Sequence, residues 1–148
     1  MIGKVKGKLD FVGEDFVLID VHGLSYVVFI SEKTKKLLPN IGDQISVWTE
    51  LLVREDSLKL IGFSSISEKE WYKLLVSVQG VGTKATLNLL SNLSLSQISN
   101  AIITENLSLI TSTQGIGPKI AKRIVTELKN NISNLKNINE EDDDVLNF

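Results

Sequence analysis

The chain has 148 residues, 43% of them hydrophobic and 23% charged, enough for one ordinary domain or two small ones. It has no cysteine and one histidine, which excludes a disulfide frame, a thiolate nucleophile and any cysteine- or histidine-rich metal site. The formal net charge is −2, the N-terminus lacks an apolar signal core, and no apolar run approaches a membrane span, so a cytoplasmic protein without membrane contact is expected.

Residues 1–63 read as strands. Residues 4–12 mix apolar and polar positions, and 16–20 and 24–30 are rich in Val, Ile, Phe and Tyr around a His22-Gly23 turn. His22 is the chain's one histidine, stands at a hairpin turn and reads as a turn residue, not a ligand. Residues 31–38 suit a short helix capped by Ser31 and ended by Pro39 and the Asn40-Ile41-Gly42-Asp43 turn. Residues 44–53 and 58–63 form a further hairpin closed by Arg54-Glu55-Asp56-Ser57. Five or six short strands with one small helix suggest a closed barrel of the OB type, with an SH3-like barrel as the competing architecture. Glu55 and Asp56, taken alone, are adjacent acids at a solvated turn. They could bind a metal only with further ligands, and the sequence supplies none.

After Phe63 the pattern becomes helical. Ser67-Glu68-Lys69-Glu70 has capping-box spacing, with Ser67 as N-cap, and Trp71, Leu74, Leu75 and Val78 form an apolar face behind it. Further helices are expected over residues 83–92, from a Ser94 or Ser96 cap to 105, over 108–112, and over 118–131. Their apolar residues recur at helical spacing and read as core. From residue 134 the chain turns polar and reads as a disordered acidic tail or linker.

Within the helical half one stretch occurs twice. Gln79-Gly80-Val81-Gly82-Thr83-Lys84-Ala85 returns 35 residues later as Gln114-Gly115-Ile116-Gly117-Pro118-Lys119-Ile120. Each copy lies between helical patterns, the layout of a helix-hairpin-helix. Glycines permit a turn that side chains would forbid. The aliphatic residue between them plugs the groove between the helices. The second helix starts just after the second glycine, where Pro118 suits a first turn. Free N–H groups and a positive dipole end make that turn a natural phosphate site. Lys84 and Lys119 add charge beside it. Lys119, Lys122 and Arg123 fall in the first two turns of the last helix, with Lys119 and Arg123 four apart on one face. Asn88 stands where the second copy has Arg123, so the first hairpin is expected to bind with less charge.

The charge distribution agrees with that reading. Residues 1–63 carry 8 Lys/Arg against 9 Asp/Glu, residues 64–139 carry 8 against 4, and residues 140–144 are all acidic. The segment holding the repeats is basic, and the acid is concentrated in the tail. A mere connecting turn explains one glycine pair, but not two copies with lysine at the same offset. Gly80-x-Gly82-x-x-Ala85 fits a dinucleotide fingerprint on paper, but that motif follows a strand inside a βαβ unit. A solenoid needs at least three repeats. There is no P-loop, and no catalytic aspartate of the helix-hairpin-helix glycosylases follows Gly117 before the tail. Paired hairpins holding phosphates across a groove would position a duplex with little sequence information.

The ordered set of elements resembles the RuvA family, the bacterial proteins that bind Holliday junctions. The resemblance rests on Met1-Ile2-Gly3 and the early strands, on Val53-Arg54-Glu55-Asp56 with Gly62-Phe63, and on both hairpins with Lys84, Lys119 and Arg123. It implies an α+β protein with an OB-type barrel (1–63) for oligomerisation, a tandem helix-hairpin-helix DNA-binding domain (64–133) and a flexible acidic segment (134–148). It implies DNA contacts from Gly80, Gly82, Lys84, Gly115, Gly117, Lys119, Lys122 and Arg123. It implies a homotetramer, with one or two tetramers per four-way junction, and an acidic pin of Glu55 and Asp56 at the crossover. It also implies a subunit that is not itself an enzyme, that needs no cofactor or metal, and that partners the RuvB motor ATPase and the RuvC resolvase. The family's third, RuvB-contacting domain follows a flexible linker, and this chain is expected to stop within that linker, which puts motor coupling in question. The rival reading is a general duplex-binding repair adaptor without junction specificity.

Overall fold

A computed structural model describes residues 1–132 of the chain, so the acidic segment expected over 134–148 lies outside the described residues. Two compact units divide near residue 70, the first containing Met1–Lys69 and the second starting at Glu70.

The first unit is a closed five-stranded barrel in the order β1-β2-β3-β5-β4. Its strands are β1 (Lys4–Val12), β2 (Phe16–Val21), β3 (Leu24–Phe29), β4 (Gln44–Arg54) and β5 (Ser57–Phe63), with helix α1 (Glu32–Lys36) between β3 and β4. Alternation sets the faces. In β1, Val5 and Leu9 are buried while Lys4, Lys6 and Lys8 are exposed. Val17, Ile19, Val28, Ile45, Val47 and Leu60 complete the interior from the other strands. All pairings are antiparallel except β3 with β5, which meet in parallel at Val28↔Leu60 and Phe29↔Ile61 and close the barrel. This order is that of the OB-type barrel, not of the SH3-like alternative. The β2–β3 turn has positive φ at His22 (55°) and Gly23 (90°), and the Gly23 N–H donates to Asp20 Oδ1 at 2.7 Å.

β4 and β5 run further than the barrel needs. β1 pairs with β4 no further than Trp48, and β3 reaches β5 only at Leu60 and Ile61. The rungs Leu52↔Lys59, Val53↔Leu58 and Arg54↔Ser57 therefore stand free of a third strand. They carry the Glu55-Asp56 turn about 10 Å beyond the last shared rung.

Helix α1 is shorter than the expected 31–38. Ser31 caps it as anticipated, accepting from the Thr34 N–H at 3.1 Å. Leu37 and Leu38 then bond three residues back, to Thr34 and Lys35, and that tighter turn ends the helix at Lys36.

Helix α2 (Ile66–Val76) corrects the expected cap. Ser65, not Ser67, is the N-cap: its Oγ accepts from the Glu68 N–H at 3.0 Å and its carbonyl accepts from the Lys69 N–H. Ser65-Ile66-Ser67-Glu68 carries the same box spacing two residues earlier. The Glu68 carboxylate accepts from Ser64 Oγ (2.9 Å) and Ser31 Oγ (3.5 Å). That buried carboxylate ties the start of α2 to the N-cap residue of α1.

The second unit continues with α3 (Thr83–Asn92), α4 (Leu95–Ile103), α5 (Leu107–Thr111) and α6 (Pro118–Leu128) around Leu75, Leu89, Leu90, Ile98, Ile102 and Ile124. Ser94, of the two candidate serines, caps α4 in a complete capping box with Gln97. α4 ends before the expected residue 105 because Glu105 takes left-handed backbone (φ 56°), letting Asn106 N–H reach back to the Ala101 carbonyl at 2.8 Å. Asn106 then caps α5. α6 ends at Leu128, short of residue 131.

The cap assignment is checked by urea denaturation of two variants. Ser65→Ala is expected to cost about 1 kcal/mol, the usual loss of an N-cap hydroxyl. Ser67→Ala is expected to cost less, because it leaves that cap intact.

Candidate nucleic-acid interface

The two repeats turn alike, with the same glycine backbone angle and the same closing hydrogen bond. Gly80 and Gly115 both sit at φ 92°, where a side chain is strained. Val81 N–H bonds to the Val78 carbonyl and Ile116 N–H to the Thr113 carbonyl, closing each turn at the same offset. Val81 and Ile116 are buried, filling the groove between the flanking helices as expected from their place between glycines. Gly82 caps α3 and Gly117 caps α6, each in extended backbone. Their carbonyls accept from Thr86 N–H and Ala121 N–H. Neither cap has a side-chain partner for the free N–H groups of the first turn. Two helix ends thus present uncapped donors and the positive end of a dipole.

The glycines divide into two kinds. Gly80 is held by the fold: a Cβ there would stand 3.0 Å from Ile120 Cδ1. Gly115 has the matching neighbour, with a Cβ reaching Ala85 at 3.9 Å. Ala85 and Ile120 are equivalent positions of the two copies, so each helix packs its first turn on the other hairpin's glycine. Gly82 and Gly117 differ. Their φ values are −92° and −86°, ordinary for any residue, and a Cβ would meet nothing within 4 Å. Serine or aspartate caps a helix better than glycine does. The fold therefore has no internal need for glycine at either place, and bare backbone faces open space at both helix ends.

The charged residues expected beside these turns are all at the surface. Lys84, Lys119, Lys122 and Arg123 are exposed, as are all four glycines of the two turns. Ion pairs join Lys69 to Glu50, Arg123 to Glu127 and Lys129 to Glu105, and among the described residues Lys84, Lys119 and Lys122 are paired with no carboxylate. Arg123 is engaged. Its Nε–H donates to Glu127 Oε1 at 3.0 Å and its Nη2–H to Gln79 Oε1 of the first hairpin at 2.8 Å. Asn88, its counterpart in the first copy, donates from Nδ2 to the Gln114 carbonyl of the second hairpin at 3.1 Å. Sequence reading singled out neither glutamine. The signal was the 35-residue offset itself, which maps Gln79 onto Gln114 and Asn88 onto Arg123.

Glu55 and Asp56 are both exposed at the end of the β4–β5 hairpin. Val53 and Leu58, opposite each other on its free rungs, are 65% and 69% exposed, a high exposure for aliphatic side chains. Among the described residues, no group of three or more His, Asp and Glu side chains comes together, and no helix is long and apolar enough to cross a membrane.

A five-stranded barrel followed by a helical unit with two hairpins of this geometry defines a class: proteins joining an OB-like barrel to a tandem helix-hairpin-helix domain. Comparison with known sequences gives the same division. Residues 1–62 match the RuvA N terminal domain, and residues 72–130 match the SAM-like helix-hairpin-helix tandem. The Holliday junction branch migration complex subunit RuvA of Agrobacterium fabrum is 49% identical over 130 residues, 88% of this chain and 63% of that protein. The proteins of the same name from Roseobacter denitrificans (48% identical over 129 residues, 87% of this chain and 59% of that protein) and Rhizobium rhizogenes (46% over 132, 89% and 65%) match over a similar stretch. The chain belongs to the RuvA family. It spans about three fifths of the length of the curated relatives it matches.

The two kinds of glycine make a stability test. Gly80→Ala and Gly115→Ala both force a side chain into left-handed backbone, at about 1–3 kcal/mol each. Gly80→Ala also presses on Ile120, so urea denaturation is expected to show it as the more destabilising of the two.

Proposed function

We propose that this chain binds four-way junction DNA by shape and charge, as the non-motor subunit of a branch migration complex. The observation that carries this reading is the pair of bare glycine caps, Gly82 and Gly117. Each opens a helix end to a phosphate, and an exposed lysine, Lys84 or Lys119, lies two residues on. Phosphate contacts of this kind hold a duplex in register without reading bases. In this reading Lys122 and Arg123 add to the positive field around the second hairpin.

The family supplies the rest. The relatives are named as subunits of a Holliday junction branch migration complex. Assembly as a tetramer through the barrel would bring the two acids of the Glu55-Asp56 tip together from four subunits around the crossover. Such a field repels phosphates at close range and is screened beyond about 8–10 Å at cellular ionic strength. It keeps the strands apart at the centre while the hairpins grip the arms. The complex then serves a RuvB motor, and a RuvC resolvase acts on the same junction. The chain works in the cytoplasm and is not itself the catalyst.

Titration of an immobile four-way junction against excess linear duplex at physiological salt tests the reading. A strong preference for the junction is expected. Equal competition would reduce the protein to a general duplex adaptor and return the acidic tip to an ordinary turn. Lys119→Ala is expected to weaken binding to every sequence alike and to lower the slope of log K against log salt by about one. Glu55→Gln with Asp56→Asn is expected to leave or tighten junction binding while disturbing migration, and loss of binding would contradict the pin.

A further inference from the structure

The two hairpins are tied to each other by a reciprocal pair of hydrogen bonds that the DNA contacts themselves do not require. Arg123, in α6 behind the second hairpin, donates to Gln79 at the mouth of the first (2.8 Å). Asn88, in α3 behind the first, donates to the Gln114 carbonyl at the mouth of the second (3.1 Å). Both bonds span the same pair of repeat positions, taken in opposite directions. The apolar layer beneath them has the same reciprocity, Ile120 against Gly80 and Ala85 against Gly115. Glu127 holds the Arg123 guanidinium from its own helix, one turn on, at 3.0 Å. A guanidinium bonded through Nε to one partner and through Nη2 to another has a set direction, which a lysine ammonium in its place would lack.

We propose that Gln79 and Asn88 are positioning residues, which fix the spacing and tilt of one hairpin relative to the other through Arg123 and the Gln114 carbonyl. The proposal rests on the phosphate-clamp reading above and deepens it. Two helix ends can take phosphates from both strands of one duplex only at a separation matched to the groove. Side-chain bonds at an exposed surface add little to stability. Their effect falls on the geometry of the clamp. The brace is unequal by design of the sequence: the first hairpin is held by a charged donor on a side-chain acceptor, the second by a neutral amide on backbone.

The test uses the 148-residue chain with Gln79→Ala and Asn88→Ala, neither of which changes a charge. Each variant is titrated with linear duplex and with the immobile junction over a range of salt. Affinity for both DNAs is expected to fall about three- to tenfold, the scale of one hydrogen bond. The salt slope is expected to stay at the parental value, because no phosphate contact is removed. Arg123→Lys, which keeps the charge but cannot span both partners, is expected to lose affinity similarly, and adding Gln79→Ala to it to cost nothing more. Amide NMR shifts supply the readout that a loss of general stability would not give. Asn88→Ala should move the Gly115 to Gly117 signals while those of the barrel strands stay in place. Parental affinity in both single variants would overturn the proposal, as would unmoved hairpin shifts. A parent chain that bound duplex as well as junction would sink the junction reading alone, and the brace would still be decided by the duplex titrations.

Discussion

Both hairpins of the helical unit depend on two residues held at φ 92°. Gly80 and Gly115 turn the chain sharply enough that the aliphatic residue after each falls into the core and the next residue opens a new helix. A side chain at either glycine would resist that backbone, and at Gly80 it would also meet Ile120. Once the turns are set, the first-turn N–H groups of α3 and α6 must point outward without side-chain caps. The open donors are thus a by-product of how the turns are built, and exposed Lys84 and Lys119 lie two residues beyond the two caps.

The barrel answers a different physical problem. Five short strands close on themselves and leave no long edge. Only the β4–β5 ribbon runs past the closure, and its turn carries Glu55 and Asp56, whereas the helical segment has a basic balance. Val53 and Leu58 leave apolar surface on that same ribbon.

Much of this was legible in the residues. The bounds of β1 and α3 follow from alternation, and from a glycine turn meeting a helical pattern. The His22-Gly23 turn, the Ser31 cap and the Pro118 start each rest on one local rule. Where the reading slipped, two local rules competed or a distant partner decided. Ser65 and Ser67 both precede a helix at box spacing to a glutamate, and only the fold shows that the carboxylate of Glu68 is drawn to Ser64 and Ser31. The end of α4 depends on a glutamate adopting backbone that a glycine usually marks. The engagement of Arg123 with Gln79 links residues far apart in sequence, and its charge alone pointed only to phosphate. The repeat offset pairs Asn88 with Arg123 and Gln79 with Gln114, but only the fold brings Arg123 to Gln79 and Asn88 to Gln114 across the copies.

The fold does not need glycine at Gly82 or Gly117, and in the phosphate-clamp proposal both are bare to admit a ligand. A Gly82→Ser, Gly117→Ser double variant tests it, read by urea denaturation and by titration with duplex and junction DNA. Stability is expected to be unchanged or raised by a few tenths of a kcal/mol per site, since serine is the better cap. Affinity for both DNAs is expected to fall by about tenfold or more, since each hydroxyl takes the donors and the space a phosphate would use. Unchanged DNA affinity in a stably folded double variant would contradict it, and the hairpins would then be connections and not a clamp.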